Sequence, residues 1–140
     1  MSEVCPTSRA KAALSKGGTM SMYIIDTAGE FVHMERMDGA VSNNMRSALL
    51  KAQTALKTRQ PTSIREAQLK NEPGGIPRSA VFFNLFGVSG GLPIVIDGQM
   101  IGALGVAGGA DEACAVEGLK ATFGDHVTLP VYPAASGAAQ

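Results

Sequence analysis

Arg36 and Asp38 are the residues of this chain best suited, by type and spacing, to do chemistry. They sit at the end of Phe31 to Met37, which reads as a strand. Alternation puts Phe31, His33, Glu35 and Met37 on one face of it and Val32, Met34, Arg36 and Asp38 on the other. The strand ends at Gly39, just before a helix N-terminus near Ser42. An arginine fork pairs with a carboxylate and helix N-terminal amides favour anions, so this corner suits a small organic anion. A salt bridge between Arg36 and Asp38 that only tightens the hairpin end is the competing reading. Lys51 lies about 13 Å along the helix and reaches this region only if the sheet curves.

Other motifs give way to blander readings. Gly87-Val88-Ser89-Gly90-Gly91 matches the GxSxG pattern of a nucleophile elbow, but an apolar strand beginning near Pro93 follows where that motif needs a helix. The glycines from Gly102 to Gly109 do not have dinucleotide-loop spacing, and Gly102 and Gly105 fall inside a strand pattern. Glycines there allow close backbone approach. His33 and His126 have no metal-ligand spacing, and no His/Cys cluster accompanies them, so no metal site is expected. Met20, Met22, Met34, Met37 and Met45 read mostly as core filler. Cys5 and Cys114 lie far apart outside any CxxC pair, and two reduced thiols are expected.

The elements that must position these residues follow from periodicity and punctuation. Ser8 to Ser15 is a short helix candidate ended by Gly17-Gly18. Met20 to Asp26 and Phe31 to Met37 form a first hairpin about Thr27 to Glu30. Ser42 suits the N-cap of a long helix, roughly Asn43 to Arg59, with an apolar stripe of Met45, Leu49, Ala52 and Leu56. Ser63 to Glu66 has capping-box spacing for a second, shorter helix. Asn71 to Pro77 is a loop, and Phe82 to Phe86 is a strand or a loop packed on the core. An Asp97-Gly98 turn closes a second, buried hairpin. Asp111 then caps a final helix that Gly124 stops, and Thr128 to Tyr132 suits an arm against a neighbour. The expected fold is α+β: a mainly antiparallel sheet from two β-hairpins flanked by helices, an α/β/α-like sandwich. One domain over residues 1–126 and a tail over 127–140 complete the layout.

Composition narrows the function classes. Formal net charge is zero, from 12 basic and 12 acidic residues, and only 5% of residues are aromatic. With no dense basic cluster and few rings for stacking, nucleic-acid binding is a poor fit. No apolar run approaches the roughly 18 residues of a membrane span, and no secretory h-region is visible, so a cytoplasmic protein is expected. A charged fraction of 17% and many small apolar residues suit burial against copies of the same chain.

At Asp26 to Gly29, Arg36 to Ala40, Lys51 to Ala55, Gly90 to Ile94 and Ile101 to Gly109 before Asp111, the chain resembles the GlcG/HbpS-like family, which includes the C-terminal module of PduO-type proteins. The resemblance covers roughly residues 8 to 123, with its blocks in order. It implies the same sandwich, a homo-oligomer, and in some members haem binding or a place beside small-acid catabolism. By position it implies a ligand-binding pocket of Arg36, Asp38, Lys51, Gly90, Gly91 and Pro93. The leading expectation is a small-molecule-binding protein for an anionic organic ligand, haem among them. Arg36 and Lys51 would pair the propionates and His33 would be the axial ligand. The alternative is a cofactor-independent isomerase, tautomerase or lyase. There Arg36 holds a carboxylate and Asp38, Glu35 or Lys51 moves the proton. A non-catalytic oligomeric accessory protein is the third reading.

Overall fold

The computed structural model describes residues 19–74, 78–109 and 111–130. Its four strands are β1 (Ser21–Asp26), β2 (Phe31–Arg36), β3 (Gly91–Ile96) and β4 (Gln99–Ala107), all antiparallel in the order β2-β1-β4-β3. Between the two hairpins come α1 (Ser42–Thr58), α2 (Thr62–Lys70) and the short α3 (Arg78–Phe82), and α4 (Asp111–Phe123) follows β4. This is the expected α+β sheet of two hairpins packed with helices. No helix of the described residues is long and apolar enough to cross a membrane.

Local chemistry explains both hairpins. Asp97 and Gly98 have φ of 49° and 81°, the doubly left-handed loop that joins Ile96 to Gln99. In the first hairpin the Asp26 carboxylate accepts the N–H groups of Ala28 and Glu30, each at 2.9 Å, and Gly29 takes φ 84°. A register shift between Ile24 and Ile25 modifies the alternation expected for β2. His33 pairs with Ile24 and Phe31 with Ile25, so Val32 is the extra residue of a bulge. Phe31 therefore leaves the His33 and Glu35 face, and its ring meets Tyr23 edge-on at 5.8 Å.

The core has two sides because neighbouring strand residues point oppositely. Leu104 and Val106 pack with Met22, Ile24, Leu92 and the α4 residues Ala115 and Leu119. Ala103 packs with Ile25 and the α1 residues Ala52 and Ala55. Small residues let α1 lie close. A methyl at Gly105 would strike the Ala48 carbonyl and come within 2.7 Å of the Ala52 nitrogen. The buried stripe of α1 is accordingly Ala48, Lys51, Ala52, Thr54 and Ala55, rotated from the expected one, with Leu49 and Leu56 only partly buried.

Several local expectations are corrected. Ser42 is the first residue of α1, and Val41 before it makes no side-chain cap. Ser63 and Glu66 do not form a capping box, because both side chains are taken by distant partners. Phe82 to Phe86 is no strand: Phe82 ends α3 and a turn follows, with Phe82 and Phe83 exposed. The segment after α4 lies along its own sheet, with Val127 bridging Ile96 and the Thr128 N–H donating to the Val95 carbonyl at 2.8 Å. Cys114 is disulfide-bonded, against the expectation of reduced thiols. Cys5, the Ser8 to Ser15 helix and the tail from residue 131 lie outside the described residues.

Candidate functional site

Sheet register gathers the motifs at one end. Ser21 pairs with Arg36 on one side and with Ala107 on the other. The Val106 N–H then donates to the Gly90 carbonyl at 2.9 Å. Arg36, Ser21, the end of β4 and Gly90 thus form one row, about 14 Å across at the usual strand spacing. Thr19 lies at the same end. The Asn44 amide donates to its carbonyl at 3.4 Å, and a side chain at Gly108 would collide with that carbonyl.

Within this row Lys51, Gly90 and Gly91 come together as a buried cluster. Lys51 is 3% exposed, and its ammonium donates to the Val106 carbonyl at 2.9 Å and to Asp111 Oδ2 at 2.7 Å. Asp111 Oδ1 accepts the Gly109 N–H at 2.6 Å. The Asp111 carboxylate therefore neutralises Lys51 and turns the chain into α4, where sequence reasoning gave it a cap alone. Gly90, at φ 122°, leaves the space Lys51 needs: a Cβ there would lie 3.1 Å from Nζ. The Gly91 N–H donates to Thr62 Oγ1 at 2.8 Å, and the Ser89 N–H to Glu66 Oε2 at 2.7 Å. The glycine loop is filled by its own chain rather than open as a cradle.

Glu35, Arg36 and Asp38 are exposed, and among the described residues Arg36 and Asp38 form no ion pair with each other. Pro93 is half-buried on β3 opposite Ala103, away from Arg36 by the width of the sheet. His33 is half-buried; its Nε2 lies 3.8 Å from Glu35 Oε2 and has no hydrogen-bond partner among the described residues. The residues named from sequence therefore divide into a buried cluster about Lys51 and an exposed group on and after β2.

Thr62, Ser63, Glu66 and Asp111 are the site-organising residues that sequence reasoning missed. One signal for Asp111 was present: Lys51 repeats in phase with Ala48, Ala52 and Ala55, so it had to be buried and to need an acid.

A family profile described as "Haem degrading protein HbpS-like" matches residues 4–120. Protein GlcG of Escherichia coli strain K12 is 32% identical over 89 residues, 64% of this chain and 64% of that protein. The chain spans 63% to 64% of the length of the curated relatives it matches. A doubly substituted HbpS of Streptomyces reticuli superposes with a TM-score of 0.67 at 28% identity, over 83% of this chain and 80% of that one. The PduOC:heme complex gives 0.67 at 24% identity, over 85% and 90%, a likeness of fold.

Proposed function

The chain belongs to the HbpS-like family, and from that premise we propose that it is a small-molecule-binding protein for an apolar organic anion, with haem the first candidate. The observation that carries this reading is β2. Among the described residues it is an edge strand, on which Met34 and Arg36, both exposed, share a face with Tyr23 and Phe31. A flat apolar ligand lies against Met34 and Phe31 while the Arg36 fork pairs with its carboxylate. The PduOC relative, seen as a haem complex, supports haem as that ligand.

Haem asks for an apolar platform, a cation for its propionates and an axial donor. Arg36 and Met34 supply the first two on one face of β2. His33, whose Nε2 is unpartnered among the described residues, supplies an imidazole on the opposite face, where it pairs with Ile24. The Met34 and Arg36 face fits the ring and its propionates, while His33, on the other side of the strand, does not reach iron held against that face. When bound, haem brings iron redox chemistry; the chain's own part is to hold and orient it. Lys51 takes no propionate in this reading, because its ammonium is spent on Val106 and Asp111. The acid/base enzyme alternative has less to draw on for the same reason, since Asp38 and Glu35 are exposed.

Titration with hemin tests the reading. A saturable Soret band is expected. Arg36→Gln should weaken binding about tenfold, the equivalent of one lost charge-assisted contact. His33→Ala, on the opposite face, should leave the band in place. The absence of a saturable band, or binding indifferent to Arg36→Gln, would sink the proposal.

A further inference from the structure

Ser21 is 1% exposed, and its hydroxyl has no hydrogen-bond partner among the described residues. A buried hydroxyl left unpaired is costly, so one that persists needs a reason. Alternation along β1 puts it on the face of Ile25, which packs on Ala52 and Ala55 of α1. α1 runs back along β4 on that face. A Cβ at Gly105 would meet Ala48 and Ala52, and one at Gly108 would lie 3.0 Å from the Asn44 amide. Ala107, the partner of Ser21, falls between them, so the hydroxyl points toward the start of α1.

The first turn of α1 attracts negative charge and supplies none of its own. It contains no acidic residue, and no side chain caps it. The Asn44 N–H turns back to the Val41 carbonyl at 3.0 Å, while those of Ser42 and Asn43 have no acceptor among the described residues. Aligned peptide dipoles add to these free donors. Arg36 stands directly across from Ser21 on the same face, exposed and in no ion pair among the described residues. Guanidinium, hydroxyl and amides converge on one corner, beside the platform of Tyr23, Phe31 and Met34.

We infer that this corner is a carboxylate seat. The Arg36 fork pairs with the carboxylate, the Ser42 and Asn43 N–H groups donate to it, and Ser21 donates its hydroxyl proton. The hydroxyl is covered in the free chain. The carboxylate reaches it as Arg36 and the loosely held Asn44 amide, 3.4 Å from its acceptor, turn toward the ligand. Met34 lies two residues from Arg36, about 7 Å along the strand, so the planar body of the ligand sits one ring's length from its charged end. The ligand class is a planar aromatic acid. Placing that body rests on the Met34 and Arg36 face being the ligand face; the seat itself follows from Ser21 and α1.

Amide NMR on the isotope-labelled full chain, titrated with sodium benzoate at constant ionic strength, tests the seat. Saturable shifts are expected at the Ser42 and Asn43 amides, and neutral benzamide should not produce them. Ser21→Ala should weaken benzoate about tenfold, the worth of one hydrogen bond to a charged group. Its unfolding midpoint should not fall, because the hydroxyl has no partner to lose. Ser42→Pro removes one amide donor at the first helical position, after a Val41 already at φ −64° and ψ 144°, and should weaken benzoate similarly with the fold intact. Hemin that displaces benzoate assigns the seat to a propionate; benzoate that stays bound assigns it to a smaller acid. Failure of benzoate to shift either amide, or binding indifferent to both substitutions, overturns the seat even where hemin still gives its Arg36-dependent band. Loss of that band with benzoate binding intact overturns the haem reading alone.

Discussion

A lysine ammonium held out of water is tolerable only where every neighbour accounts for it. Lys51 meets that condition with a carbonyl from β4 and a carboxylate at the start of α4. Its side chain is 3% exposed and that of Asp111 15%, so solvent screens the pair little. Breaking such a pair from one side leaves the other charge uncompensated, which costs about 3 kcal/mol or more. Lys51→Met should lower unfolding free energy by about that amount in urea titration. The double variant Lys51→Met with Asp111→Leu should lose less than the sum of the two singles. Strict additivity of the two would show that the charges do not act as a pair. The residue scale also shows how sequence reading went astray. Arg36 and Lys51 look alike as cations near one motif-rich end, yet one is exposed and the other spent. A side chain's partner sixty positions away is invisible to local pattern.

Elements were legible where a backbone requirement pins them. Asp97-Gly98 demanded a left-handed turn, and the β3–β4 hairpin follows from it. Ser63 and Glu66 had the right spacing for a cap, but Glu112 and the Ser89 N–H are stronger claims on the two side chains than the helix end. Phe82 to Phe86 reads as a strand or a core-packed loop because it is apolar and Phe favours strands, a preference that neighbours decide. The glycines of β4 were read as permitting close approach, and Gly105 is the position where α1 uses that permission. Gly105→Ala would force α1 outward, since the obstruction is helix backbone rather than a yielding side chain. A loss of about 1–3 kcal/mol is expected for overpacking of this kind, measured as a lower denaturation midpoint with an unchanged slope. An unchanged midpoint would mean that α1 does not rest on Gly105.

At the scale of the whole molecule, α2 fastens parts that are distant in the chain. Thr62 receives the Gly91 N–H, Ser63 donates to Glu112 at 2.7 Å, and Glu66 receives the Ser89 N–H. The entry to β3 and the first turn of α4 are thus tied to one short helix. Glu66 makes this fastening sensitive to acid. The hydrogen bond from Lys70 and then the Ser89 N–H hold its carboxyl below the usual value of 4.5, outweighing the effect of burial. A carboxyl whose pKa falls on folding stabilises the folded state above its unfolded pKa. That contribution is lost as pH drops through the lower, folded value. Glu66→Gln should therefore be less stable than wild type at pH 7, and the gap should narrow steadily below about pH 4.5. Paired urea titrations from pH 7 to pH 3 measure this directly. A gap that stays constant with pH would mean that the amide loses packing alone, and that the charge of Glu66 does not hold the glycine loop to α2.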